Sequence, residues 1–147
     1  MISVIAAAWL LPIAFFDARK RSIPDVLNIS FLLFAVFVRA IDGSLSIISL
    51  LIAAGFFGVQ WILSRGRAIG SGDVLLAAGI GALLFDMYLL MLWIIISYAP
   101  GAAIVSVLLL TKRKKFGDAI AFAPFLSVAA IITLFLGENI LNAIGFG

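Results

Sequence analysis

The 147-residue sequence has no cysteine and no histidine. Those absences exclude disulfides, thiol nucleophiles, zinc sites of the Cys/His type and every histidine-based triad. Carboxylate, hydroxyl and ammonium groups are left for any chemistry. Charge is also scarce: 12% of residues are Asp, Glu, Lys or Arg, against 65% that are hydrophobic. Soluble domains carry about 25% charged residues. With a mean hydropathy of +1.31, the composition is that of a membrane protein. A net charge of +3, scattered along the chain, offers no surface for nucleic acid. Lys and Arg read instead as topology signals and as contacts for membrane lipids.

What is there is a series of apolar segments, roughly Ile2–Phe16, Val26–Ile41, Leu45–Ser64, Val74–Phe85, Tyr88–Thr111 and Ala119–Leu136. A spanning helix needs about 20 residues, so the first and fourth look short unless flanking residues join them. Period-two alternation is missing and backbone groups in hydrocarbon must pair internally, so helices are expected rather than a barrel. The sequence therefore predicts an all-α, polytopic membrane protein. It has about six transmembrane helices in a single domain over residues 1–147. The first segment lacks a basic leader and carries its positive charges afterwards, so it reads as a retained helix and not as a signal peptide.

Basic residues alternate by loop. Arg19, Lys20 and Arg21 follow the first segment, Arg65 and Arg67 the third, and Lys112, Arg113, Lys114 and Lys115 the fifth. Only Arg39 approaches the other face, whose loops hold Asp42, Asp86 and Glu138. The positive-inside rule puts the basic loops in the cytoplasm and both termini outside. Ser22-Ile23-Pro24-Asp25 reads as a helix start with Ser22 as N-cap. Asp42-Gly43-Ser44 reads as a short external turn.

Four carboxylates lie on the basic side: Asp17, Asp25, Asp73 and Asp118. Asp17 closes the first apolar segment, and Asp73 opens the fourth within Gly70-Ser71-Gly72-Asp73. Were those helices neighbours, the two carboxylates would lie at similar depth and face each other. Two carboxylates in a partly dry site do not both ionise easily, so such a pair shares a proton. One can then act as general base on a water and the other as general acid on a scissile carbonyl, with neither metal nor cofactor. Gly70 and Gly72, lacking Cβ, would let an extended substrate backbone come close. Position alone leaves plainer readings open. Asp73 fits an N-cap, Asp17 an interfacial charge, and Asp25 and Asp118 partners for helix dipoles.

Three ordered stretches resemble a known family. Phe16-Asp17-Ala18-Arg19-Lys20-Arg21-Ser22-Ile23-Pro24-Asp25 resembles the first-aspartate segment of the type IV prepilin peptidases and their preflagellin relatives. Gly70 to Gly81, beginning Gly70-Ser71-Gly72-Asp73-Val74-Leu75-Leu76, resembles that family's G-x-G-D segment. Ile120-Ala121-Phe122-Ala123-Pro124-Phe125-Leu126 resembles a run near its C-terminal end. The resemblance implies a membrane aspartic endopeptidase with Asp17 and Asp73 as the catalytic pair. Its substrate would be a pilin-like or flagellin-like precursor, cut at the cytoplasmic face of the cell membrane to release a short basic leader. Leu75 replaces the family's usual Lys and Asp25 its usual Asn. The paired cysteines of the larger, methylating members are missing, which implies a peptidase only. Two other classes compete: a small transporter or channel with Asp17 and Asp73 as a proton or cation site, and a structural subunit with capping aspartates.

Overall fold

The computed structural model describes residues 1–20, 22–67, 69–111 and 121–146. Arg21, Lys112 to Lys115, Asp118, Ala119 and Ile120, all used in the sequence reading, lie outside the described residues. The described residues form six helices: α1 (Ile2–Lys20), α2 (Asp25–Ile41), α3 (Ile47–Ser64), α4 (Ser71–Leu83), α5 (Met87–Leu110) and α6 (Ala123–Ala143). The described residues contain no strand. Four spans, α1, α3, residues Met87–Ile104 of α5, and α6, are long and apolar enough to cross a membrane.

The helices form two groups of three. α4 lies between α2 and α3, α6 lies between α1 and α5, and the groups close through α1–α2, α4–α6 and α3–α5. α4 has 13 residues, nine of them buried. Its rise is about 20 Å, well short of a hydrocarbon core of about 30 Å. Its neighbours bury it instead, and its sequence permits this. A Cβ on Gly79 would lie 2.8 Å from the Phe31 ring of α2, and one on Gly81 would lie 2.6 Å from Ala53 Cβ of α3. Small residues at these crossings are what allow close helix packing where lipid offers no hydrophobic drive between helices.

The outer surface is apolar too. On α2, Val26, Ile29, Leu33 and Phe37 are exposed while Asn28, Phe31 and Ala35 are buried. Inside, Trp93 is fully buried and its indole N–H donates to the Leu126 carbonyl of α6 at 3.0 Å. A buried Trp needs such a partner.

Helix ends refine the sequence reading. α1 continues through Asp17 to Lys20, where Arg19 and Lys20 suit the negative end of its dipole. α6 runs past the expected Leu136 to Ala143 and carries Glu138 and Asn139 on its last turns. Ser22 does not cap α2. Pro24 holds the N-cap position with no side-chain cap bond, and its carbonyl accepts from the N–H groups of Leu27 and Asn28. Ser22 stands two residues too early to reach them. Ser46 caps α3, accepting from Ser49 N–H at 3.2 Å.

Arg39 is the basic residue out of step with the others, and the fold accounts for it. Its Nε and Nη2 donate to the Leu83 carbonyl at 2.9 and 2.6 Å, and its guanidinium lies 4.7 Å from the Phe85 ring centroid. It closes the carbonyl end of α4, where a cation also meets the dipole favourably. Arg19, Lys20, Arg65 and Arg67 gather at the opposite end of the bundle, the end to which Asp17 and Asp73 belong.

Candidate active site

Asp73 occupies the third position of α4. Gly70 precedes that helix in extended conformation, and its N–H donates to Asp73 Oδ2 at 3.0 Å. In return the Asp73 N–H donates to the Gly70 carbonyl at 3.1 Å. This is the carboxylate half of a capping box, and it fixes the side chain over the first turn. The other oxygen, Oδ1, is buried without a hydrogen-bond partner among the described residues.

Asp17 sits on the last turn of α1, only 6% exposed, and Asp73 is 7% exposed. Asp17 Oδ2 accepts from the backbone N–H of Ala123 at 3.1 Å, across 106 residues of sequence. α6 lacks a cap of its own, because Phe122 at its N-cap position offers no side-chain acceptor. Asp17 supplies one from another helix, which draws the carboxylate inward beside the positive end of α6. α1 and α4 do not pack broadly on each other. α2 and α6 link those helices, and the Asp17 carboxylate lies near enough to Asp73 for its charge to be felt there.

Gly72 lies within the first turn of α4, where a Cβ would stand 3.4 Å from both Asn28 Nδ2 and Ile23 Cδ1. Its bare backbone admits the start of α2 against α4. At Gly70 the nearest neighbour of an added Cβ is Asp73 Oδ2, at 3.5 Å. Asp25 takes the dipole position expected of it, in the first turn of α2.

Three further features border the pair. Asn28, fully buried on α2, donates through Nδ2 to the Gly72 carbonyl at 2.7 Å. Tyr98 of α5 lies within the electrostatic reach of Asp73, and its hydroxyl donates to Gln60 Oε1 of α3. Phe57, Tyr98 and Phe122 pack ring on ring at 5.3 to 6.2 Å between centroids, and Phe122 is next in sequence to Ala123, whose N–H Asp17 accepts from. Sequence reasoning passed over Asn28 and Gln60. The available signal was a neutral amide inside an apolar helix, which hydrocarbon tolerates poorly unless the amide is bonded.

Fold and site together define a class: a helical membrane protein with two buried carboxylates, from the ends of different helices, at one end of its bundle. The family model described as the type IV leader peptidase family matches residues 4–106, a stretch that holds both Asp17 and Asp73, and the chain belongs to that family. It is 28% identical over 151 residues to a protein of Legionella pneumophila named prepilin leader peptidase/N-methyltransferase. That alignment covers 97% of this chain and 52% of the relative, so the chain spans about half the relative's length. No solved structure matches the chain.

Proposed function

We propose that this protein is an aspartic endopeptidase that removes the short basic leader from a pilin-like or flagellin-like precursor. The observation that carries the reading is the convergence of Asp17 and Asp73, buried and within each other's field, at the basic end of the bundle. Hydrolysis asks the pair to hold one proton between them. One carboxylate takes a proton from water as the water oxygen adds to the scissile carbonyl carbon, and the other gives its proton to the carbonyl oxygen. When the tetrahedral diol collapses, the C–N bond breaks, the carboxylate that took the water's proton passes it to the departing amine, and a diol hydroxyl gives its proton to the other carboxylate, which restores the singly protonated pair. A peptide bond inside a helix is shielded, so the substrate enters extended. Gly70, beside the Asp73 carboxylate, is the point of close approach, and Gly72 keeps the wall formed by α2 in place.

The positive-inside rule puts this end of the bundle at the cytoplasmic face of the cell membrane. A leader lying just before a hydrophobic helix would meet the pair there. Only the leader-peptidase half of the relative's name is proposed for this chain. Family membership favours hydrolysis over a proton or cation site made from the same two residues. Co-expression with a pilin-like precursor tests the reading. Asp17→Asn and Asp73→Asn should each abolish cleavage while the protein stays in the membrane, and uncut precursor should accumulate. Cleavage retained by either variant removes that residue from the pair.

A further inference from the structure

Of the three buried residues of α2, only Asn28 is polar. Its Nδ2 is committed to the Gly72 carbonyl at 2.7 Å, which fixes the amide plane, because the flipped amide would set acceptor against acceptor. Asn28 Oδ1 is then a buried acceptor with no partner among the described residues, as is Asp73 Oδ1. The two flank a single peptide unit, since the Gly72 carbonyl that holds Asn28 belongs to the peptide bond leading into Asp73. A structural tie between α2 and α4 would account for Nδ2 alone. It leaves two buried acceptors, on residues tied to the same peptide unit, without a partner among the described residues, which buried sites avoid.

We propose that Asn28 is a positioning residue that, together with Asp73, holds the lytic water. A water molecule has two O–H donors, which matches two acceptors that have none. One O–H donates to Asn28 Oδ1 and the other to the Asp73 carboxylate. As the water oxygen bonds to the scissile carbonyl carbon, Asp73 accepts its proton and Asp17 protonates the carbonyl oxygen. Collapse breaks the C–N bond, Asp73 passes its proton to the departing amine, and a diol hydroxyl returns a proton to Asp17, which leaves the acid product and the pair as it began. The role of Asn28 is to point one lone pair of that water at the carbon. This inference rests on the peptidase reading.

Purified protein in lipid, given a pilin-like precursor with its leader intact, tests the inference through Asn28→Leu and Asn28→Ser. Leu nearly fills the volume but neither donates nor accepts, whereas Ser keeps a hydroxyl. The expected result for Leu is a kcat about 100-fold lower with KM nearly unchanged, the size of loss seen when one preorganised hydrogen bond at a reacting group is removed. Asn28→Ser should recover part of that rate. If Leu turns over as fast as Ser or faster, Asn28 only packs and the inference falls. An effect confined to KM also overturns it, because Oδ1 then meets a substrate amide. Should the Leu variant fail to accumulate, Asn28→Ala against Asn28→Ser decides: Ser faster supports the role, and equal rates overturn it. Asp17→Asn and Asp73→Asn, run alongside, separate the two levels. If they stay active, the aspartate pair on which the inference rests has failed; if the parent protein itself cuts nothing, the peptidase reading has failed. If they are dead while Asn28→Leu is normal, only the water-holding role has failed.

Discussion

Asp73 commits one of its two carboxylate oxygens to structure. Oδ2 secures the first turn of α4 through Gly70, and Oδ1 has no partner among the described residues. The sequence offered Asp73 as an N-cap or as a catalyst; Gly70 holds the N-cap position and Asp73 the third position of the helix, an arrangement that leaves one oxygen for the proposed chemistry. Asp17 is similar, since it caps α6 from α1 while lying within reach of Asp73. A consequence is measurable. Asn at either position keeps an oxygen for the backbone N–H, whereas Ala does not. Asp17→Ala and Asp73→Ala should therefore each be about 1 kcal/mol less stable than the matching Asn variant, as read by thermal unfolding in detergent. Asp86 offers a control far from the site. It caps α5, accepting from the N–H groups of Tyr88 and Leu89 at 2.9 and 3.1 Å. Asp86→Ala should lose about 1 kcal/mol and leave cleavage at its parental rate. Both catalytic candidates were legible because a carboxylate beside hydrocarbon is expensive and needs a reason. Asn28 was passed over, because a neutral amide inside an apolar helix is a weaker flag than a charge and its partner lies 44 residues away.

At the scale of the element, α4 is the least conventional helix and the one on which the site depends. The sequence marked its segment as short, and the structure shows why it tolerates that: α2 and α3 sheathe it while α6 touches it. Its glycines lay inside the family-like stretch, but their packing duty was hidden until the partner helices were known. Gly81 meets backbone as well as side chain, with a Cβ there 2.8 Å from the Ser49 carbonyl oxygen, whereas Gly79 meets only the Phe31 ring that closely. A ring can swing aside more easily than a helix backbone can retreat. Gly81→Ala should therefore destabilise by about 1–3 kcal/mol, the usual cost of overpacking, and Gly79→Ala by less. Denaturation of the two variants in the same detergent checks the order. Arg39 holds the far end of α4 with two donors on one carbonyl. Lys has no planar fork, so Arg39→Lys should fall short of the parent in stability, and Arg39→Leu should fall further.

For the whole molecule, helix number and order were legible from hydropathy, and the division of described charges between two ends followed from the loops. The pairing of helices was not legible. Nothing in the sequence says that α1 and α4 approach the site without packing broadly on each other, or that α6 brings a backbone N–H to Asp17. Such contacts depend on how small residues and rings fit across helices far apart in the chain. The proposed orientation rests on the basic loops and has a direct check, because the sequence has no cysteine. A single cysteine in place of Arg67, on the Asp17/Asp73 end, should react with a membrane-impermeant maleimide only after the cytoplasmic face is opened. One in place of Ser44, on the other end, should react in intact cells. The opposite pattern would turn the site away from the cytoplasm.

The central claim is that Asp17 and Asp73 cut a leader from a pilin-like precursor. Its most direct test mixes purified protein with such a precursor in lipid and weighs the products by mass spectrometry. The account predicts a single cut between the basic leader and the hydrophobic helix by the parent protein, and none by the Asp17→Asn/Asp73→Asn double variant. The same cut made by the double variant would contradict it.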